Sequence, residues 1–361
     1  MKKELRVCSL FAGCGGFDLG FELAEHPEMK FKTIWANDID KSCTETYRKN
    51  FPDVGFIHGD IWEYDIDEMP ECDIILGGFP CQDFSMLRGD EVKRKGVTSK
   101  RGILYTKFVE AVYKKKPIVF VAENVKGLLS ANNGQAIKQI IKDFKKVGYH
   151  VHWKLINFAD YGVPQKRERV IIVGIRKDLD GNFKFPMPTH RDQHITVKEA
   201  LKDVERIPYN NELHKMKSST IDMIKQIPAG GNYRYIPKYA DKKWMSLIYR
   251  RLHPDQPSST IVALGGGGTW GYHYKEPRML TNRERARIQT FPDDFIFEGT
   301  PTQIRMQLGN AVPPKGIKSI AEALLNHLYN RENDDRQLNK GAEKFLYVKD
   351  TEQRYITRIE A

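Results

Sequence analysis

The sequence predicts an α/β protein: a doubly wound, mostly parallel sheet joined to a smaller loop-rich unit. Three observations carry that expectation. Short apolar runs alternate with helical patterns through the first 180 residues, the order that produces strand–helix–strand units. A glycine-rich stretch, FAGCGGFDLG (11–20), follows the first apolar run and opens the first helix. Past residue 180 the alternation degrades into turn-rich sequence, and regular helix returns at PPKGIKSIAEALLNHLYN (313–330).

The elements follow in order. LRVCSLF (5–11) reads as a buried strand, FDLGFELAE (17–25) as a helix, TIWAND (33–38) as a second strand and KSCTETYRKNF (41–51) as a second helix. CDIILGG (72–78) is the third clear strand. ILYTKFVEAVYKKK (103–116) is helical and leads into PIVFVAENV (117–125), another buried strand. GQAIKQIIKDFKKVG (134–148) puts Ile137, Ile140, Ile141, Phe144 and Val147 on one helix face. YHVHWKLINF (149–158) and ERVIIVGIR (168–176) close the series. The expected domains are 1–180 plus 300–330, an inserted loop-rich unit at 181–299, and an appendage at 331–361.

With 361 residues, 40% hydrophobic and 29% charged, disordered, collagen-like and disulfide-scaffold classes are excluded. No apolar run reaches the eighteen residues of a membrane span, and the start lacks the pattern of a signal peptide. The five cysteines, Cys8, Cys14, Cys43, Cys72 and Cys81, form no CxxC pair, which favours free thiols in a reducing, cytoplasmic setting and no metal site. The net charge of +11 is unevenly placed: residues 1–90 carry −9, residues 91–116 carry +7, and the remainder is positive throughout. A polyanion touching everything but the first quarter accounts for this split, as does an unevenly charged solvated surface.

Chemistry-bearing residues gather at predicted strand ends. Gly13, Gly15 and Gly16 let the backbone turn tightly at a helix start, in the order G-x-G-G rather than G-x-G-x-x-G. Asp38 and Asp60 end two strands. Taken singly, each is more readily read as a cap or turn former, whereas together they suit a cationic nucleoside such as S-adenosylmethionine. GGFPCQDFS (77–85) places Cys81 at the carboxyl edge of the sheet, where nearby bases favour its thiolate. Glu123 and Asn124 follow the VFVA strand to the same edge, and QKRERV (165–170) brings Arg167 and Arg169, spaced to share one side of an extended segment.

FAGCGGF, GFPCQDFS, ENV, QKRERV and GNAVPP, in this order, resemble the motif blocks of DNA cytosine-5 methyltransferases of the restriction-modification type, and RLHPDQPSSTI and LTNRERARIQTFPDDF resemble the family's later blocks. The resemblance implies a Rossmann-like methyltransferase fold using S-adenosylmethionine. It implies that Cys81 attacks carbon 6 of a flipped-out cytosine, that Glu123 holds the ring's nitrogen edge, and that Arg169 and Arg167 hold its carbonyl and the loop. For the cofactor it implies Phe11, Ala12, Gly13, Gly15 and Gly16 beneath the methionine part, Asp38 on the ribose, Ile39 beside the adenine, Asp60 and Ile61 on the adenine, and Phe79, Leu104, Asn310 and Ala311 as further walls. For DNA it implies Ser85, Lys93, Arg94, Lys95, Lys100 and Arg101 on the segment after the cysteine, and Thr260 with Arg250 or Arg251 near the backbone. A related transfer-RNA cytosine-5 methyltransferase usually carries PPCQPF where this chain has FPCQDF. The further expectations are double-stranded DNA as partner, a monomer, no membrane, and a restriction endonuclease acting on the same site.

Sequence choice is expected from about 180–280, where GGNYRYIPKYADKKW and GGGGTWGYHY mix aromatics, bases and glycines; spacing alone ranks none of these side chains. If Lys93, Arg94, Lys95, Lys100 and Arg101 grip phosphates, affinity for duplex DNA lacking the recognised site should fall linearly on a log–log plot against salt, by about 0.9 log units per phosphate contact per tenfold change. Titration by fluorescence anisotropy at several salt concentrations checks this, and a salt-independent affinity contradicts it.

Overall fold

The computed structural model describes residues 2–80, 104–179, 181–263 and 270–333. Its strands are β1 (Lys3–Leu10), β2 (Met29–Asp38), β3 (Gly55–His58), β4 (Ile74–Gly77), β5 (Val119–Val125), β6 (Tyr149–Asn157), the short β7 (Gln165–Lys166) and β8 (Glu168–Arg176). Seven of them form one sheet in the order β3-β2-β1-β4-β5-β8-β6. Pairing is parallel from β3 to β5, while β8 runs antiparallel to both β5 and β6. The strand order reverses direction between β1 and β4, so a crevice opens there outside the carboxyl ends.

Period-two alternation explains how one sheet serves two cores. On β5, Val119 and Val121 face one side and Phe120 and Ala122 the other; on β8, Ile171, Val173 and Ile175 oppose Val170 and Ile172. The first side is covered by Phe17 and Phe21 of α1 (Gly16–Glu22) and by Ile317, Ile320 and Leu324 of α9 (314–333). The second is covered by Phe108 and Val112 of α3 (Leu104–Lys115) and by Ile137, Ile140 and Phe144 of α4 (Gln135–Lys146).

A third core lies past the β3 side, where Tyr47 of α2 (Lys41–Asn50) and Phe51 meet Ala286, Phe291, Phe295, Phe297 and Leu308. Local signals fix these helices. Asp40 accepts from Ser42 N at 2.8 Å to start α2. Reciprocal capping boxes, Thr281 with Glu284 and Thr300 with Gln303, start α7 (Asn282–Ile288) and α8 (Pro301–Asn310).

Between residue 181 and α7 regular structure is sparse: α5 (Val197–Ala200), α6 (Ser218–Lys225), and the two-stranded pairs β9 (Arg250–Arg251) with β11 (Trp270–Tyr272) and β10 (Ser258–Ser259) with β7. Two small apolar clusters hold it, around Val197, Leu252 and Ile261, and around Ile224, Ile236 and Tyr272. Of Arg250 and Arg251, either of which was expected near the DNA backbone, Arg251 is turned into the protein. It is buried, and its guanidinium donates to the carbonyls of Ile227, Tyr274 and His273 at 2.7, 2.7 and 3.1 Å. The neighbouring Arg250 is half-buried.

Gly174 of β8 sits against the Phe120 ring, so a Cβ there would run into the ring. Gly174→Ala should cost about 1–3 kcal/mol through overpacking. Adding Phe120→Leu should recover part of that loss, read as urea midpoints; strictly additive losses would show that the two positions share no space.

Candidate active site

The glycine loop leaves β1 with Phe11 and Gly13 both at φ 56° and Gly15 at φ 88°. Phe11 adopts this left-handed conformation without glycine's freedom, a local strain held by its neighbours. Two of those bonds are visible: Ala12 N donates to Asn37 O at 3.0 Å, and Gly13 N donates to Asp38 Oδ2 at 2.8 Å. Asp38 accepts through its other oxygen from Asp40 N, also at 2.8 Å, so one carboxylate joins the glycine loop to the start of α2. Burial pushes the Asp38 pKa up, and the two backbone N–H groups pull it back. From the far side the segment after α8 packs onto the loop. A Cβ added to Gly16 would collide with Val312 O and lie 3.5 Å from the Ala311 side chain.

Around this bracket the surface is open. A Cβ added to Gly13 or to Gly59 would meet nothing within 4 Å. Ile39 is 65% exposed, Asp60 is half-buried with Oδ1 on Trp62 N, and Asn310 is exposed. An open glycine turn at a helix start, flanked by an exposed apolar side chain and two acids, fits a cationic nucleoside. Ile61 and Phe79 are buried, Phe79 among Tyr105 and Phe108, and Leu104 is half-buried at the start of α3.

The second group lies at the end of β5. Glu123 is buried and its Oε1 is held by Arg169 Nε at 2.7 Å, both side chains being 11% exposed. Burial raises the Glu123 pKa; the charges of Arg169 and Arg167 oppose that rise. Asn124 donates from Nδ2 to Phe79 O at 2.9 Å and accepts from Val125 N, which fixes the backbone two residues before Cys81. A cavity of about 390 Å³ opens here, lined by residues including Lys126, Asn157, Lys166, Arg169 and Thr260. Thr260 donates its hydroxyl to Lys166 O at 2.7 Å on the rim.

Arg167 lies near enough to Glu123 and Arg169 for their charges to interact, but its hydrogen bonds go elsewhere. It is buried, and its guanidinium donates to Ile261 O at 3.2 Å and Gly309 O at 3.0 Å, tying the sheet to the segments that return to it. Cys81, Ser85, Lys93, Arg94, Lys95, Lys100 and Arg101 lie outside the described residues. The other four cysteines are buried.

Over residues 5–326 the chain matches the model of the C-5 cytosine-specific DNA methylase family. It is 50% identical to the type II methyltransferase M.NgoFVII of Neisseria gonorrhoeae, over 89% of this chain and 86% of that one, and 45% identical to M.BbvI of Brevibacillus brevis, over 89% and 91%. Its fold is similar to that of S. pombe Dnmt2 methyltransferase, with a TM-score of 0.68 at 18% identity over 90% of this chain and 99% of that one. A β-sheet with this crevice, a glycine turn and a buried Glu–Arg pair fits a nucleoside-dependent enzyme, and the chain belongs to the C-5 cytosine-specific DNA methylase family. It is a DNA (cytosine-5-)-methyltransferase of the type II restriction-modification kind, with S-adenosylmethionine as methyl donor.

One buried acid beside the glycine loop escaped the sequence reading. Asp18 in the first turn of α1 is fully buried, accepts from Ser9 Oγ at 3.1 Å, and has no partner for Oδ1. Burial pushes its pKa up to about 7 against the Ser9 hydrogen bond. The folded state therefore keeps a proton that the unfolded chain loses, so Asp18's favourable contribution is whole at low pH and is lost as pH rises towards 7. Asp18→Asn should gain stability over wild type at pH 8 and little at pH 4.5, measured by urea unfolding; a gain independent of pH would refute the assignment.

Proposed function

We propose that this chain methylates carbon 5 of a cytosine turned out of duplex DNA, through a covalent bond to Cys81. The observation that carries the reading is the buried Glu123–Arg169 pair beside the Asn124–Phe79 bond. A carboxyl group is thereby set at the same sheet edge as the backbone leading to the cysteine. Cytosine within a stacked duplex is out of reach of any side chain, so the base must leave the stack at a cost of a few kcal/mol.

Cys81 as thiolate forms a bond to carbon 6 of the ring, and the displaced electron pair makes carbon 5 nucleophilic. Glu123, its affinity for a proton raised by burial and its orientation set by Arg169, shares a proton with the ring nitrogen and favours that charge shift. S-adenosylmethionine would supply the methyl group and leave as the neutral thioether S-adenosylhomocysteine. A base removes the hydrogen from carbon 5, the double bond re-forms, the sulfur–carbon bond breaks to release thiolate, and the ring nitrogen returns its proton to Glu123.

Phe11, Ala12, Gly13, Gly15, Gly16, Asp38, Ile39, Asp60, Ile61, Phe79, Leu104, Asn310 and Ala311 would form the cofactor pocket. Asp38 would offer its remaining lone pairs to the ribose. Lys93, Arg94, Lys95, Lys100 and Arg101, with Ser85, Arg250 and Thr260, would meet the DNA. Residues 1–180 with 300–330 form the catalytic unit in this reading, residues 181–299 the recognition unit, and 331–361 an appendage. The protein acts as a monomer in the cytoplasm, protecting sites from a cognate endonuclease; among the described residues no helix is long and apolar enough to cross a membrane.

Incubation with tritiated S-adenosylmethionine and duplex DNA should label the DNA. Cys81→Ser should abolish the label and Glu123→Gln should lower the rate about 10²- to 10⁴-fold. Equal labelling of transfer RNA, or label surviving Cys81→Ser, would sink the proposal.

A further inference from the structure

The proposed recognition unit contains a clamped segment in which Trp244 packs inward while Lys243 and Met245 stand in solvent. Residues 240–246 (Ala-Asp-Lys-Lys-Trp-Met-Ser) are seven consecutive exposed positions. The base of the segment is closed by four contacts. Tyr233 N donates to Ile248 O at 3.2 Å, Asn232 Nδ2 donates to Ser246 O at 3.0 Å, and the buried Tyr233 hydroxyl lies 2.8 Å from the carbonyl oxygens of both Lys242 and Trp244. Turn-type bonds flank them, from Lys242 N to Tyr239 O and from Ile248 N to Met245 O, both at 3.0 Å, so the backbone carrying Lys243 and Met245 is tied down on both sides.

Trp244 leans inward, its ring 5.4 Å from Tyr233 and 4.9 Å from Tyr239. Met245 is 69% exposed, a large apolar side chain left in water beside lysines. Arg234, Lys238, Lys242 and Lys243 are also exposed and form no ion pair among the described residues. Exposed apolar surface on a backbone that hydrogen bonds hold rigid, surrounded by unpaired cations, is the composition of a surface that meets a polyanion and then contacts something apolar within it. The chain leads from this segment straight to the catalytic cavity. β9 ends at Arg251, and β10 begins at Ser258, paired with Gln165 and followed by Ser259 paired with Lys166 on the cavity rim, so the seven steps from Arg251 to Ser258 span at most about 25 Å.

We propose that Lys243 and Met245 read base edges in the major groove, Lys243 by donating to guanine acceptors and Met245 by apolar contact, and that Tyr233 and Asn232 are positioning residues that hold them in register. The inference rests on the proposed methylation of duplex DNA and assigns its sequence choice to one segment. Rigid presentation is the physical requirement, because a flexible lysine gains affinity for any sequence whereas a fixed one discriminates.

The test uses the full chain, S-adenosylmethionine and a library of duplexes randomised around cytosine, followed by bisulfite sequencing. Wild type should yield one motif. Lys243→Ala and Met245→Ala should each lower discrimination at one or more bases of that motif by about 5- to 150-fold. Tyr233→Phe, which keeps the ring and removes the clamp, should relax the same bases. An unchanged motif in both surface variants overturns the inference. So does a Lys243→Ala enzyme weakened equally on all sequences with a shallower salt dependence, because that is the behaviour of a phosphate contact. No methylation of any duplex by wild type would overturn the proposed function, and this inference with it.

Discussion

A carboxylate and a guanidinium buried together at one sheet edge constrain much of the architecture around them. Taking Glu123 and Arg169 out of water costs several kcal/mol per ion, and only close, fixed geometry offsets it. The register supplies that geometry. Glu123 stands opposite Ile171 and Val125 opposite Arg169, so Arg169 is the diagonal neighbour of Glu123 on the same face of the β5–β8 pair. Such a diagonal is within reach of a long side chain. It also accounts for the one reversed strand. Arg169 is the second residue of β8, and a parallel β8 would begin at the opposite edge of the sheet. Running antiparallel, β8 starts where β5 ends, and the charge arrives beside the carboxyl group.

Asp38 imposes the second constraint, at the crevice where the strand order reverses. A carboxylate that receives two backbone N–H groups is held ionised more firmly than a merely buried one. Its carboxyl group is thus fixed beside the open glycine turn, where the proposed cofactor pocket would gain from it. The same bonds keep Phe11 and Gly13 in their left-handed conformations. Asp38 thus joins the bond from Ala12 N to Asn37 O in shaping the loop, and Asn37 also braces β3 by donating to Ile57 O and Gly59 O at 3.0 Å each.

Much of this was legible in the sequence. Apolar runs located β1, β2, β4, β5, β6 and β8, because each buries both faces or one, while the four-residue β3 was marked only by Asp60 just past its end. The strand-end positions of Asp38 and Glu123 followed from chain order. Strand direction was not legible, since periodicity is the same for parallel and antiparallel pairing. Alternation also misjudged Arg167 and Arg169, which share parity in QKRER. Arg167 falls in the break between β7 and β8, where parity does not carry across, and its side chain turns inward. Asp18 reads as an acid favoured by a helix N-terminus. Its burial comes from packing between α1, β1 and Tyr47, which no local pattern encodes.

Arg251 exposes a more general limit of reading charge from sequence. The unit at 181–299 has few strand ladders, yet its buried carbonyl groups still need donors. Arginine side chains fill that need. Arg251 serves three carbonyls, and Arg283 serves those of Tyr209, Pro292 and Phe295 at 3.1, 3.0 and 2.8 Å. Arg285 is buried beside them. These cations replace a β-sheet's internal hydrogen bonding and face no partner. The charge of +6 over residues 181–300 therefore overstates what DNA would meet there. The cations left on the surface are concentrated on segments such as 234–243, which makes local placement, not the regional sum, the quantity that governs association.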